Sequence, residues 1–291
     1  MDERAALSLL GDVVGRAGDD AAVVNGQVVT TDMLHERTDF PGGTTRYTAG
    51  WRAVGASLSD VAAMGAEATA AVAVYADPSF EEEELREFVG GASDVCEAVG
   101  AEYVGGDLDT HTEFTVATTA LGTTNDPVRR SGANPGELVC VTGTLGRSAA
   151  ALRLFEAGET ARANDLFRFE PRVAAGCALG PHASAMMDSS DGLARSLHQL
   201  AEASDCGFAV EFDALPVDES VRSVADDEAT LRDLACHFGE DFELVFTLPE
   251  DVLAAAREAC PTPFSVLGTV TDSGVTMGDE ALPDRGFTHG E

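Results

Sequence analysis

A chain of 291 residues, 44% of them hydrophobic, carries enough apolar material for one large core or two ordinary ones. Its 51 acidic residues outweigh 18 basic ones, every one an arginine, and the formal charge of −33 sets it against the phosphate backbone of a nucleic acid. The longest apolar stretch, at 70–76, is too short for a membrane span, and the start, Met-Asp-Glu-Arg-Ala-Ala-Leu, carries no secretory pattern, so a cytoplasmic location is expected.

Residues 21–32 read as two short strands turned about Asn25-Gly26, a dipeptide suited to tight hairpins because both positions tolerate positive φ. Trp51, Val54, Leu58, Val61 and Met64 fall at three- and four-residue steps and predict a helix over 45–64. A buried strand at 68–76 follows. Four glutamates at 81–84 then open a helix reaching 99, where they suit the positive end of its dipole. Strands are expected at 103–104 and 113–121. The segment 122–135, with Thr-Thr-Asn-Asp-Pro and Gly-Ala-Asn-Pro-Gly, marks the candidate boundary between domains 1–126 and 127–291. Beyond it come a strand at 137–141, helices at 146–155 and 171–179, a strand at 184–188 and a helix at 191–203. Strands at 208–212 and 242–247, a helix at 252–259 and an extended run at 264–270 complete the chain. The expected class is α+β: two α/β-layered domains with mixed sheets covered by helices, since several strands adjoin through hairpins.

The acid is spread along the chain among periodic apolar segments, which argues against disorder. Concentrated salt would screen such a charge, so a salt-rich cytosol of the halophilic kind is expected. The six cysteines form no C-x-x-C pair and the six histidines no H-E-x-x-H spacing, which leaves zinc and disulfide frameworks unsupported. Without lysine there is no G-x-x-x-x-G-K-[ST] loop and no strand lysine of the protein-kinase type.

What stands out is acid and glycine at the ends of predicted elements. Gly18-Asp19-Asp20 precedes the hairpin, Thr30-Thr31-Asp32 closes it, and Ser59-Asp60 lies in the first long helix. Gly105-Gly106-Asp107 falls where a strand is expected to end, Asp188-Ser189-Ser190-Asp191-Gly192 joins a strand to a helix, and Gly239-Glu240-Asp241 follows later. In a chain this acidic an isolated aspartate is ordinarily solvated surface, and Asp191 ahead of a helix fits an N-cap. Asp60 differs, because it lies among Leu58, Val61 and Met64, where a charge is costly unless paired or metal-bound. The glycines before Asp107 allow a ligand close to the backbone. Carboxylate and hydroxyl oxygens are hard ligands suited to Mg²⁺, which commonly bridges phosphate oxygens. The turn at 143–146 reads either as an anion-binding set of N–H groups or as an ordinary strand-to-helix turn.

In this order the six motifs, together with Arg130-Ser131-Gly132-Ala133-Asn134-Pro135-Gly136 and Val141-Thr142-Gly143-Thr144-Leu145-Gly146, resemble the thiamine-monophosphate kinase family. That family belongs with aminoimidazole ribonucleotide synthetase and selenophosphate synthetase, and the resemblance runs from residue 18 to about 246. It implies a homodimer that transfers the ATP γ-phosphoryl group to thiamine phosphate with several Mg²⁺ ions. By the same resemblance Asp20, Thr30, Thr31, Asp32, Asp60, Asp107, Asp188 and Asp191 hold metal. Gly106, Asp107, Arg130 and Ser190 contact ATP, and Glu240 contacts the thiamine substrate. Two further substrate positions depart from the family pattern. Asp39 stands where the family has a histidine, with His35 in another register, and Asp284 stands where it has an aromatic, with Phe287 nearby. Phe238 likewise replaces a second glycine before Gly239. The implied acceptor is a phosphate monoester that ionises near pH ~6, so no catalytic general base is expected. The competing readings are another ATP-using member of the superfamily and a non-catalytic, halophilic cation-binding protein.

Overall fold

A computed structural model of the chain describes residues 18–286 together with 11, 13 and 14. The N-terminal half runs β1 (Ala22–Val24), β2 (Gln27–His35), α1 (Glu36–Asp39), α2 (Arg46–Ala63), β3 (Glu67–Asp77), α3 (Glu82–Ala98), β4 (Glu102–Thr110) and β5 (Thr115–Thr123). Its strands form one sheet in the order β1-β2-β5-β3-β4. The β1–β2 hairpin turns at Asn25 and Gly26, both at positive φ (55° and 81°), as the dipeptide predicts. Only β3 and β4 pair in parallel, joined through α3, so the sheet is mixed.

Helix α2 is the element on which the site depends. Thr45 caps it by accepting from the Thr48 N–H at 3.1 Å. Its row of Val54, Leu58 and Val61 is fully buried. Against α3 the two backbones nearly touch: a Cβ on Gly50 would stand 2.1 Å from Phe88 O, and one on Gly91 would stand 1.9 Å from Tyr47 O. The same apolar cluster continues from Val54, Leu58 and Val61 to Leu179, Met186 and Phe246 of the C-terminal half. The face of α2 that bears Arg52 and Ser59 therefore meets the C-terminal half.

The C-terminal half runs β6 (Leu138–Thr142), α4 (Arg147–Glu156), α5 (Thr160–Phe167), α6 (Val173–Leu179), β7 (Ala185–Asp188), α7 (Leu193–Ser204), β8 (Gly207–Val210), α8 (Glu219–Val224) and α9 (Glu228–Cys236). It closes with β9 (Leu244–Leu248), α10 (Leu253–Ala259), β10 (Phe264–Thr271), β11 (Gly274–Met277) and β12 (Glu280–Ala281). These strands form a seven-stranded mixed sheet in the order β12-β11-β8-β10-β6-β9-β7. The architecture is the expected α+β class.

Several elements differ from expectation. The short helices α5, α8 and α9 and the strands β11 and β12 span nine residues or fewer, too short a run to establish a period. β4 continues to Thr110, so Gly105-Gly106-Asp107 lies inside a strand rather than at its end. As an edge strand, exposed along most of its length, β4 lacks the alternation that marks a strand in sequence. Among the described residues, no helix is long and apolar enough to cross a membrane.

Candidate active site

Three segments distant in sequence bring Asp20, Asp60 and Asp188 together, one oxygen of each within 4.8 Å of the others. Asp20 precedes β1, Asp60 lies near the C-terminal end of α2, and Asp188 ends β7. Neighbouring donors fix each carboxylate. The Thr30 hydroxyl donates to Asp60 Oδ2 at 2.5 Å and the Ser59 hydroxyl to Asp188 Oδ2 at 2.6 Å. Arg130 grips Asp20 twice, Nη2 to Oδ1 at 2.8 Å and Nε to Oδ2 at 3.2 Å. Asp32 shares a face of β2 with Thr30 and accepts from Ser57 at 2.6 Å. The Ser190 N–H lies 3.3 Å from Asp188 Oδ1.

The cluster is short of positive charge. Burial, then the charges of Asp32, Asp188 and Asp20, holds Asp60 well above the ordinary carboxylate range, against the Thr30 hydrogen bond. Asp188 is pushed up to about 7, first by burial and next by Asp20, with Ser59, Ser190 and Arg130 opposing. Burial also works against the Arg130 guanidinium, yet Asp20, Asp188 and Asp60 outweigh it and raise its pKa above the ordinary value. One guanidinium thus faces three carboxylates. An oxygen-only donor set with this deficit suits a hard divalent cation such as Mg²⁺.

Other residues of the expected set lie elsewhere in the chain. Thr31 follows Thr30 on β2 and so points to the opposite face, where it is exposed and donates to Thr118 O at 2.7 Å. Gly106 and Asp107 sit on β4, separated from β2 by β5 and β3, about 14 Å at ~4.8 Å per strand. Gly106 is glycine because β3 lies against it: a Cβ would stand 1.7 Å from Ala73 O. Asp191 lies in the turn to α7, where Gln199 Nε2 stands 3.4 Å from its Oδ2. The N-cap of α7 is Gly192, so the capping reading of Asp191 does not hold. The turn at 143–146 does bind an anion, but the anion is internal. Gly146 N–H and Ser148 N–H donate to the Asp241 carboxylate at 2.5 and 3.1 Å, and burial pushes Asp241 up to about 7.

A cavity of about 750 Å³ begins two hydrogen bonds from the cluster, since Glu240 in its wall donates its N–H to Ser190 O at 2.6 Å and the Ser190 N–H faces Asp188. Asp39, Glu240 and Asp284 all line it, beside Phe40, Phe167, His237 and Phe238. Asp39 accepts from the His35 N–H at 2.6 Å and the Thr38 hydroxyl at 2.8 Å. Arg195 Nε stands 2.6 Å from Asp284 Oδ1, and Arg52 Nη2 stands 2.5 Å from Glu240 Oε2. Burial lowers the pKa of His237. Phe287 lies outside the described residues.

Residues 18–124 match the family described as AIR synthase related protein, N-terminal domain, and residues 134–279 match its C-terminal domain. The thiamine-monophosphate kinase of Halobacterium salinarum is 63% identical over 99% of this chain and 100% of its own length. The chain belongs to the thiamine-monophosphate kinase family. The Methanospirillum hungatei member is 40% identical over 99% of both chains. The structure of AaThiL complexed with AMPPCP and TMP superposes with a TM-score of 0.89 at 26% identity, over 99% of this chain and 97% of that one.

For a member of this kinase family, the sequence understated the supporting cast. Ser57 and Ser59, both just before Asp60 on α2, orient Asp32 and Asp188, a role that follows only once three elements meet. Arg172 grips the buried Glu243 with two bonds, at 2.8 and 2.6 Å. Arg52 carried the signal that singled out Asp60, a charge inside an apolar helical row, and it is 2% exposed.

Proposed function

We propose that this thiamine-monophosphate kinase family member is a Mg²⁺-dependent phosphotransferase that moves the ATP γ-phosphoryl group to thiamine phosphate, giving thiamine diphosphate and ADP. The carrying observation is the meeting of Asp20, Asp60 and Asp188 within 4.8 Å, next to a cavity walled by Asp39, Glu240 and Asp284. On this reading Asp20, Thr30, Asp32, Asp60 and Asp188 form the metal-bearing set, joined by Asp191 from the turn that follows Asp188. Arg130 and Ser190 serve the nucleotide phosphates, and the cavity takes the acceptor. Mg²⁺, when bound, supplies the positive charge that a triphosphate facing a second phosphate requires.

The chain's own residues hold and align. Thr30 and Ser59 fix carboxylate orientations, and Arg130, anchored on Asp20, keeps a guanidinium at the phosphate end. Glu240, Asp39 and Asp284 orient the acceptor. Its phosphate oxygen is largely deprotonated above pH ~6, so the transfer needs alignment and electrostatic stabilisation rather than a base.

The outer face of the N-terminal sheet leaves Met33, Val74 and Val104 more than 40% exposed, an apolar patch suited to a second copy of the chain. Thr31 lies on that face, and Asp107 stands in register with Val74 on the edge strand. Their part in the site is accordingly read as one made in the homodimer. The charge of −33 suits a salt-rich cytoplasm. Incubation with ATP, Mg²⁺ and thiamine phosphate tests the activity. Thiamine diphosphate with ADP is expected, and EDTA should abolish it. ADP alone, or no turnover, rejects the assignment.

A further inference from the structure

Arg52 lies inside α2, 2% exposed, where the two halves of the molecule meet. A buried guanidinium is tolerated only if its charge and donors are met. Nη1 donates to Phe167 O at 2.5 Å and stands 3.3 Å from Ser148 Oγ. Nη2 reaches Glu240 Oε2 at 2.5 Å and Glu240 O at 3.4 Å. The guanidinium also lies over the Phe167 ring, Cζ 3.6 Å from the centroid. Two of these partners, Glu240 and Phe167, are walls of the 750 Å³ cavity.

Glu240 is a residue whose conformation has to be imposed. Its φ is +63°, a left-handed backbone that a long side chain seldom adopts unaided. The N–H is tied to Ser190 O, and the carbonyl receives the Ser148 hydroxyl at 2.6 Å. Oε2 is engaged by Arg52, which leaves Oε1 as the carboxylate oxygen outside that pairing. A lysine could bring the charge but not the fork that spans Glu240 on one arm and Phe167 O on the other, nor the flat face for the ring.

We propose that Arg52 is a positioning residue for the acceptor: it fixes the Glu240 carboxylate and the Phe167 ring as adjoining anionic and aromatic walls for the cationic heterocycle of thiamine phosphate. This rests on reading the cavity as the acceptor site. The competing role is a mere tie between the halves, which would affect stability and leave acceptor affinity untouched.

Steady-state kinetics with thermal midpoints decide between them, using Arg52→Lys, Glu240→Gln, their combination, and Arg52→Met/Glu240→Met. The last variant removes both charges, an exchange that buried pairs often tolerate, so it keeps the test open if Arg52→Lys folds poorly. Arg52→Lys should raise KM for thiamine phosphate about tenfold, the scale of one charge-assisted hydrogen bond, with KM for ATP and kcat within about twofold of wild type. Glu240→Gln should do the same, and the combination should be no worse than either alone. The double-Met variant should keep the raised KM while holding its thermal midpoint. An Arg52→Lys enzyme with a lowered midpoint and wild-type KM for thiamine phosphate, while Glu240→Gln raises that KM, overturns the positioning role and leaves the cavity reading standing. A Glu240→Gln enzyme with unchanged KM overturns both.

Discussion

Replacing Asp60 with asparagine removes one negative charge from the cluster and keeps an oxygen for the Thr30 hydroxyl, which donates to Asp60 Oδ2 at 2.5 Å. With cluster oxygens within 4.8 Å, each pair of unit charges repels by about 3.5 kcal/mol at an effective dielectric near ~20. Arg130 and partial protonation relieve much of this, so metal-free Asp60→Asn should be more stable than wild type by about 1–3 kcal/mol near pH ~8. The sign with pH follows from the raised carboxylates. Asp188 is pushed up to about 7 and Asp60 lies well above its ordinary range, so the folded protein holds more protons than the unfolded chain between pH ~4 and ~7. Metal-free wild type therefore loses stability as pH rises through that window, and the variant loses less.

Mg²⁺ should reverse the order. At a hundredfold excess over Kd, wild type gains about 2.7 kcal/mol, and the variant gains little. Urea unfolding in concentrated KCl, with EDTA or Mg²⁺ and at both ends of the pH window, reads all of these differences. A variant less stable than wild type in EDTA near pH ~8, or one that keeps the full Mg²⁺ gain, refutes the cation-site reasoning.

Asp241→Ala strands the Gly146 and Ser148 N–H groups in a buried place and should lower unfolding stability by about 1–3 kcal/mol in urea titrations. Asp241→Asn should flatten the decline in stability between pH ~4 and ~7, because ionisation of a carboxyl raised to about 7 weakens the folded chain across that window. Met33→Asp charges the outer sheet face and should turn a dimer into a monomer in sedimentation velocity with unchanged circular dichroism; an unaltered dimer removes that face from the interface. Raising KCl from about 0.1 to 2 M should raise the unfolding midpoint by screening a charge of −33, and a flat response would discount the salt-rich setting.

The long elements were legible because their periodicity is strong. The row Val54, Leu58, Val61 announced α2, and Asn25-Gly26 announced its hairpin. Asp60 was legible for the complementary reason, being a charge in an apolar row. Its meeting with Asp20 and Asp188 was implied only by the family resemblance, because it depends on how two sheets pack around α2 rather than on local spacing. Thr31 shows the limit of a motif: its neighbour Thr30 reaches Asp60, while the period of two in a strand turns Thr31 away. Helices α8 and α9 carry caps at Asp218 and Asp227, which accept from Ser220 N and Thr230 N at 2.9 and 2.8 Å. In so acidic a chain an aspartate marks nothing, and the capping signal is lost in the background. The partner of Arg52 stands 188 residues away, beyond any local rule.

Charge and rigidity have been divided between the protein and the solvent. The chain has no lysine, and three of its buried or half-buried guanidiniums are already committed: Arg130 to Asp20, Arg52 to Glu240 and Arg172 to Glu243. A guanidinium paired in this way stiffens a carboxylate and offers an incoming phosphate donors, as Arg130 does on the proposed reading, while the pair itself adds little net positive charge. Asp60 and Asp188 receive hydroxyl donors from Thr30 and Ser59, which orient them and leave the cluster's excess negative charge in place. Phosphates can approach such a cluster only with cations between them and the carboxylates, because the Coulomb term is otherwise repulsive on both sides. The fold therefore supplies geometry in its arginine forks and serines, and on the proposed reading it leaves most of the neutralisation to divalent ions.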